Sequence, residues 1–289
     1  MSLPISMPWS SPVFPKPPHA WHGVHVVVFP FVPRPDALRR ILPPGIEAVD
    51  GPGMITMLSY PQTPIIHPFK ELVVMVPVRV GKTLGNYVPH IYVTTDEALI
   101  PGREIAGFPK LIADVRWERD GNQFRGSATR WGKTFLSLEG SVDAPIPAEL
   151  AGAQGDAARK PAINYKLIPG PAGEIEIEEI TAVDIDVQTR SAEIGRGRLH
   201  CEASADDPVA ELGLRANVTY IDYQIPSGAD PLRQRPDWSG GIDATWRPMA
   251  SVETTLAPSE TSTMPSCRRA PTSRRIFSAC SYSASAGPG

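Results

Sequence analysis

Proline recurs along this chain too often for long helices to form. Its 33 copies in 289 residues mostly punctuate short apolar segments instead of collecting in one tract. A proline inside a helix removes a hydrogen bond and clashes with the preceding turn, so each one ends or interrupts a helical run. The stretches between are rich in Val, Ile, Tyr, Phe and Thr, which suit a pleated surface. Many short strands are therefore expected, over residues 24–31, 54–60, 72–80, 86–93, 112–118, 123–130, 134–142, 174–188, 194–202 and 217–225. Asp120-Gly121-Asn122 is a hairpin signal, and strands joined by tight turns run antiparallel. Two short helices are expected as well. One covers 36–42 and ends at Pro43, Pro44 and Gly45; the other is capped by Asp96 and closed by Pro101 and Gly102.

Along 174–188, Ile175, Ile177, Val183, Ile185 and Val187 share one phase and Glu176, Glu178, Asp184 and Asp186 the other, which predicts one buried and one wet face. Glu179 falls on the apolar phase, and a bulge beside Ile180 is expected to turn it outward. The small, polar stretch 143–161 reads as a mobile loop. Residues 1–23 read as an extended, proline-rich arm. His22 and His25 are three apart in a strand-like run, so they face opposite ways and make a poor metal pair. Beyond about Arg233 the composition turns to Ser, Thr, Pro, Ala and Arg without periodicity. The chain thus divides into one domain, 1–232, with 42% hydrophobic residues overall to build its core, and a disordered tail, 233–289.

A net charge of -3 and a pI of about 6.1 give no basic surface for nucleic acid or an anionic membrane, and point to a small molecule or a protein as partner. Cys201, Cys267 and Cys280 are scattered and odd in number, which fits a reducing compartment and shows no zinc spacing. The N-terminus lacks a basic, then apolar, leader, and no apolar run is long enough to span a bilayer, so a cytoplasmic location is expected.

One lysine stands out. In GREIAGFPK, Lys110 follows Phe108-Pro109 and is surrounded by Ile105, Ala106, Leu111 and Ile112. Apolar surroundings disfavour an ammonium, and a neutral lysine is a nucleophile. The plainer reading is a half-exposed lysine ending a turn. GREIAGFPK resembles the signature of the acetoacetate decarboxylase family, whose Schiff-base lysine follows an aromatic-proline pair. The resemblance extends through SPVFP, DALRRILPPGIE, MVPVRV, NYVPHIYV and NYKLIPG in family order, over roughly residues 10–232.

That resemblance implies a mainly β fold, an antiparallel cone or partly closed β-barrel with a few short helices. It also implies a homo-oligomer and a lyase that needs no cofactor and no metal. Acetoacetate decarboxylase is itself a standing example of an activated lysine. By the same resemblance Lys110 is the nucleophile and Glu71, in FKELVVMVPVRV, the acid that moves protons beside it; a structural pairing of Glu71 with Lys70 or Arg79 is the alternative. Arg103 and Glu104 are read as a structural pair. Three positions depart from the family's pattern. Its second lysine is Leu111 here, so that desolvation alone must favour the neutral amine. Its arginine aligns with about Val24 and its other glutamate with about Met57, so Val24, Met57 and Phe108 would line a more apolar substrate pocket. Tyr220 and Tyr223 are candidates to supply a hydroxyl. Decarboxylation of a β-keto acid is the implied reaction, with aldolase-dehydratase chemistry on an oxo-acid or ketone, or a non-catalytic barrel that binds an apolar small molecule, as alternatives.

Overall fold

Strands follow the proline- and glycine-bounded segments in the computed structural model of the chain, which describes residues 6–14, 21, 23–63, 66–147, 160–183, 191–202 and 206–212, and the backbone of 216–224. These belong to one compact unit, 1–253; a second unit, 254–289, and the expected tail from 233 lie outside the described residues. In order come β1 (His25–Phe31), α1 (Pro35–Ile41), β2 (Glu47–Ala48), β3 (Gly53–Tyr60), β4 (Phe69–Val80), β5 (Thr83–Val93) and α2 (Asp96–Glu104). They are followed by β6 (Lys110–Ile112), β7 (Asp114–Asp120), β8 (Gln123–Arg130), β9 (Lys133–Pro145), β10 (Ala162–Pro169), β11 (Ile175–Val183), β12 (Ser191–Cys201), a 3-10 turn (Pro208–Leu212) and β13 (Ala216–Gln224).

All 13 strands join one sheet, in the order β11-β10-β5-β4-β3-β1-β13-β12-β9-β8-β7, with β2 added to β4 and β6 to β5. Neighbours are antiparallel except that β10 and β6 both run parallel to β5. The sheet curls until β7 comes against β4 and β5, where Lys70 Nζ donates to the Trp117 carbonyl at 3.3 Å. The architecture is the mainly β, partly closed barrel or cone expected from the sequence, with short helices. The Asp120–Asn122 hairpin forms with Gly121 at φ 57°, a left-handed turn that glycine adopts without strain.

Several local expectations are corrected. Thr95, not Asp96, caps α2: its hydroxyl accepts from Ala98 N at 3.4 Å. Pro101 and Gly102 lie inside that helix, which runs on to Glu104, because a proline there removes one hydrogen bond while Pro101 O still accepts from Ile105 N at 3.0 Å. β10 is a strand that the composition of 161–170 did not announce. β11 is an edge strand, so Ile175 and Ile177 are exposed and the predicted buried face appears only toward Val183. No bulge occurs at Glu179, which stays in register opposite Lys166 and accepts from its Nζ at 3.1 Å; the irregularity falls between Ile168 and Pro169. The 143–161 loop starts late, since β9 reaches Pro145, and 148–159 lie outside the described residues, as do 184–190 and His22. Among the described residues no helix is long and apolar enough to cross a membrane.

The sheet has two buried faces. Ile55, Met57, Leu72, Val74, Val76 and Tyr92 point to the main core with Phe29, Phe135 and Leu136. The alternate residues of β3, β4 and β5 face the other way, where α2, Phe14 and Trp21 cover them. Burial on both faces explains why FKELVVMVPVRV reads as a nearly continuous apolar run.

His90, on β5, carries an acid sensitivity. Its Nε2 is buried with no partner among the described residues, and burial holds the imidazole down at about 4 against the ordinary 6.5, with Asp207 opposing weakly. Between those values the unfolded chain binds the proton and the folded one does not. Stability contributed by neutral His90 is therefore complete above about pH 6.5 and is lost as the pH falls toward 4. Urea midpoints at pH 7 and pH 5 should differ for the native chain and converge in His90→Phe.

Candidate active site

Every second residue at one end of β3 and β4 reaches a cavity of about 160 Å³. From β3 these are Thr56, Leu58 and Tyr60; from β4, Phe69, Glu71, Val73 and Met75. On β5 the alternation is broken. Val74 pairs with His90 but Val76 with Tyr87, so Val88 and Pro89 together oppose Met75 in a bulge. The extra residue puts both Val88 and Ile91 into the cavity wall.

The bulge also divides the outer edge of β5. Asn86 and Tyr87 pair with β10, and Ile91, Tyr92 and Val93 pair with β6. Lys110 is the first residue of β6, in register with Ile91. Its backbone is fixed from several sides. Phe108 N donates to Gly102 O at 2.9 Å, Lys110 N to Phe108 O at 2.8 Å, and Arg103 Nη1 to Lys110 O at 3.1 Å. The preceding turn needs Gly107 at φ 74°, and its Ala106 carbonyl accepts from Asn164 Nδ2 at 3.2 Å and Thr181 Oγ1 at 2.6 Å. Asn164, within the NYKLIPG segment, is thus a buried anchor of the lysine turn.

Lys110 is 6% exposed and its amine donates to Glu71 Oε1 in a buried ion pair. Glu71 is equally buried, and its other oxygen accepts from Tyr60 OH at 3.3 Å. Burial, then the charge of Glu71, pushes the Tyr60 phenol well above its ordinary range, so it remains a donor. Tyr60 stacks on Phe69 at 4.3 Å, and Trp21 meets both rings edge-on. The amine lies 5.8 Å from the Phe108 ring centre and 6.0 Å from that of Phe69, within reach of cation–π attraction. Glu97, also in the wall, accepts from His67 N at 2.8 Å. This arrangement brings a lysine amine, a carboxylate within proton-transfer reach of it and a phenol donor to one end of a mainly apolar chamber.

Gly102 makes room for the lysine stem. A methyl there would fall 2.5 Å from Lys110 Cδ and 2.6 Å from Cε, so the lysine stem would have to move into the cavity it lines. Gly102→Ala should shift the amine off Glu71 and lower kcat by about 100-fold, the order expected for a displacement of about 1 Å. Unchanged kcat in a folded G102A protein would contradict that packing.

A family model for acetoacetate decarboxylase (ADC) matches residues 2–223. The chain belongs to the acetoacetate decarboxylase family. An acetoacetate decarboxylase of Clostridium beijerinckii is 26% identical over 213 residues, 73% of this chain and 86% of the relative. The crystal structure of acetoacetate decarboxylase from Legionella pneumophila superposes with a TM-score of 0.67 at 22% identity, covering 77% of this chain and 91% of that one. The enduracididine biosynthesis enzyme MppR complexed with pyruvate has a TM-score of 0.62 at 18% identity, covering 78% and 96%. At these identities the two structures are evidence of a shared fold.

Within this member of the family, Lys110, Glu71 and Phe108 all line the cavity. Met57 and Val24 do not line it. Met57 is 1% exposed on the opposite face of β3, packed in the main core, because a shift of one residue reverses a strand side chain. The cavity-facing residue is its neighbour Thr56. Val24 is buried just before β1, outside the cavity wall. Leu111 points away from Lys110 and packs against the main core. Lys70 and Arg79 are not the partners of Glu71: they reach Trp117 O and Glu47. Arg103 serves the Lys110 carbonyl instead of pairing with Glu104. The amine rests on the Glu71 carboxylate, so its surroundings combine apolar groups with one charge. Tyr60, Phe69, Trp21, Thr56 and Gly102 were missed; counting by twos from Glu71 would have found Phe69, whereas Tyr60 and Thr56 needed the β3–β4 register. The side chains of Tyr220 and Tyr223 lie outside the described residues.

Proposed function

We propose that this protein is a Schiff-base-forming lyase that decarboxylates a β-keto acid, with Lys110 as nucleophile and Glu71 as the group that moves its proton. The observation that carries this reading is the buried Lys110–Glu71 pair at the end of an apolar cavity. Glu71 takes a proton from the Lys110 ammonium, and the free amine adds to the keto carbon. Glu71 returns the proton to the carbinolamine oxygen, and water leaves a protonated imine. The carbon–carbon bond to the carboxylate then breaks, its electron pair passing to the imine to give an enamine and carbon dioxide. One proton taken up from water reaches the enamine carbon, and a water molecule hydrolyses the new imine to release the ketone and the Lys110 ammonium. The net change is one proton consumed and one carbon dioxide formed.

The chamber favours this reaction over one that keeps its carboxylate. Among the described lining residues Lys110 is the one cation. A substrate carboxylate beside its imine loses its charge as carbon dioxide departs, and an apolar wall lowers the barrier to that loss. An oxo-acid in aldol chemistry stays anionic throughout and needs a lasting cationic partner. Incubation with β-keto acids labelled with carbon-13 at the carboxyl tests the proposal. Labelled carbon dioxide with the matching methyl ketone is the expected result; condensation products of an oxo-acid with an aldehyde, without carbon dioxide, would overturn it.

A further inference from the structure

Thr56 is the polar residue of this cavity that the chemistry leaves unused. It is 4% exposed, and its Oγ1 is buried with no partner among the described residues. Other polar side chains of the wall are committed: Tyr60 and Lys110 donate to Glu71, and Glu97 accepts from His67. Around Thr56 the wall is Val73, Met75, Val88, Ala162 and Val183. A buried hydroxyl left unpaired destabilises the site, and a ligand oxygen placed against it recovers part of that loss.

The strand register sets the depth of this hydroxyl. Glu71 lies opposite Leu58 and Val73 opposite Thr56, so Thr56 is two residues farther along the strands than the catalytic pair. That is about 7 Å at about 3.4 Å per residue. Subtracting a hydrogen bond of about 2.8 Å leaves about 4 Å, room for roughly three to four bonds between the reacting carbon and the oxygen that meets Thr56. The volume of about 160 Å³ suits a ligand of that length, since a cavity of about 150 Å³ accommodates benzene.

We infer that the substrate is a keto acid whose tail, on the far side of the keto carbon from the carboxylate, is uncharged and carries a hydroxyl or carbonyl oxygen roughly three to four bonds away, held by Thr56. This rests on the reading that the keto carbon goes to Lys110. A charged tail is disfavoured, because an ion beside Thr56 would be buried among aliphatic groups without a partner.

The test compares binding without reading turnover. Calorimetric dissociation constants of hexan-2-one and 5-hydroxypentan-2-one, in which oxygen replaces the terminal methyl, are measured on the full chain, on Thr56→Val and on Thr56→Ser. The affinity ratio favouring the hydroxy ketone should fall about tenfold in T56V, which keeps the shape, and persist in T56S, which keeps the hydroxyl. Levulinate should bind more weakly than either ketone. An equal ratio in the native and T56V proteins, or no binding of either ketone, would overturn the inference. If the ratio shifts but no keto acid is decarboxylated, recognition of the tail stands and the proposed reaction fails.

Discussion

Lys110→Met should abolish turnover, with kcat falling by about 10⁴-fold or more, the order seen when a covalent nucleophile is removed. Methionine retains the length of the stem that packs beside Gly102, so the cavity keeps its shape. What it removes is the nitrogen. The same change leaves the Glu71 carboxylate buried without its cation, and breaking a buried pair from one side costs about 3–5 kcal/mol. A drop in melting temperature is therefore expected beside the loss of activity. The double variant Lys110→Met with Glu71→Gln separates the two effects, since it leaves no unpaired charge. It should recover most of the stability and none of the turnover. Activity returning with stability would mean that Lys110 acts only through packing.

Glu71→Gln alone should lower kcat by about 10²–10⁴-fold, the range for a proton-transfer group. The amide keeps the shape of the carboxylate and can still accept from Lys110 and meet Tyr60. It cannot take the proton that the ammonium must lose. Imine formation in this variant should be slow, so borohydride trapping on Lys110 should lag behind that of the native chain. Turnover by Glu71→Gln equal to that of the native chain would show that the carboxylate serves only to hold the lysine in place.

How far the sequence could be read depended on the kind of signal. Proline and glycine punctuation located most strands, because those residues act on their own backbone. Lys110 was legible since its turn is encoded locally: Gly107 for the left-handed step, Pro109 for the fixed backbone, and the adjacent α2 for Gly102 and Arg103. Glu71 was named through the family resemblance, since its place in the strand fitted a structural pairing with Lys70 or Arg79 equally well. The rest of the wall was not legible, for a reason specific to β4 and its neighbours. Where both faces of a strand are buried, hydrophobicity does not say which face a residue takes, and Met57 and Thr56 differ only in phase. The bulge at Val88-Pro89 is likewise a property of two strands in register. β11 was misread because period-two alternation implies a covered face, whereas its position at the sheet's edge leaves Ile175 and Ile177 exposed. The carboxylate against Lys110 bridges 39 positions of sequence, a contact that only the pairing of β4 and β6 with β5 creates.

Everything chemical in this account requires a covalent bond between a substrate carbon and Lys110 Nζ. Borohydride added while the protein turns over a β-keto acid, followed by peptide mass spectrometry, reads that bond directly. One irreversible adduct of the mass of the reduced ketone is expected on the peptide bearing Lys110, with a matching loss of activity. Continued turnover with Lys110 unmodified, or an adduct on another lysine, would contradict it.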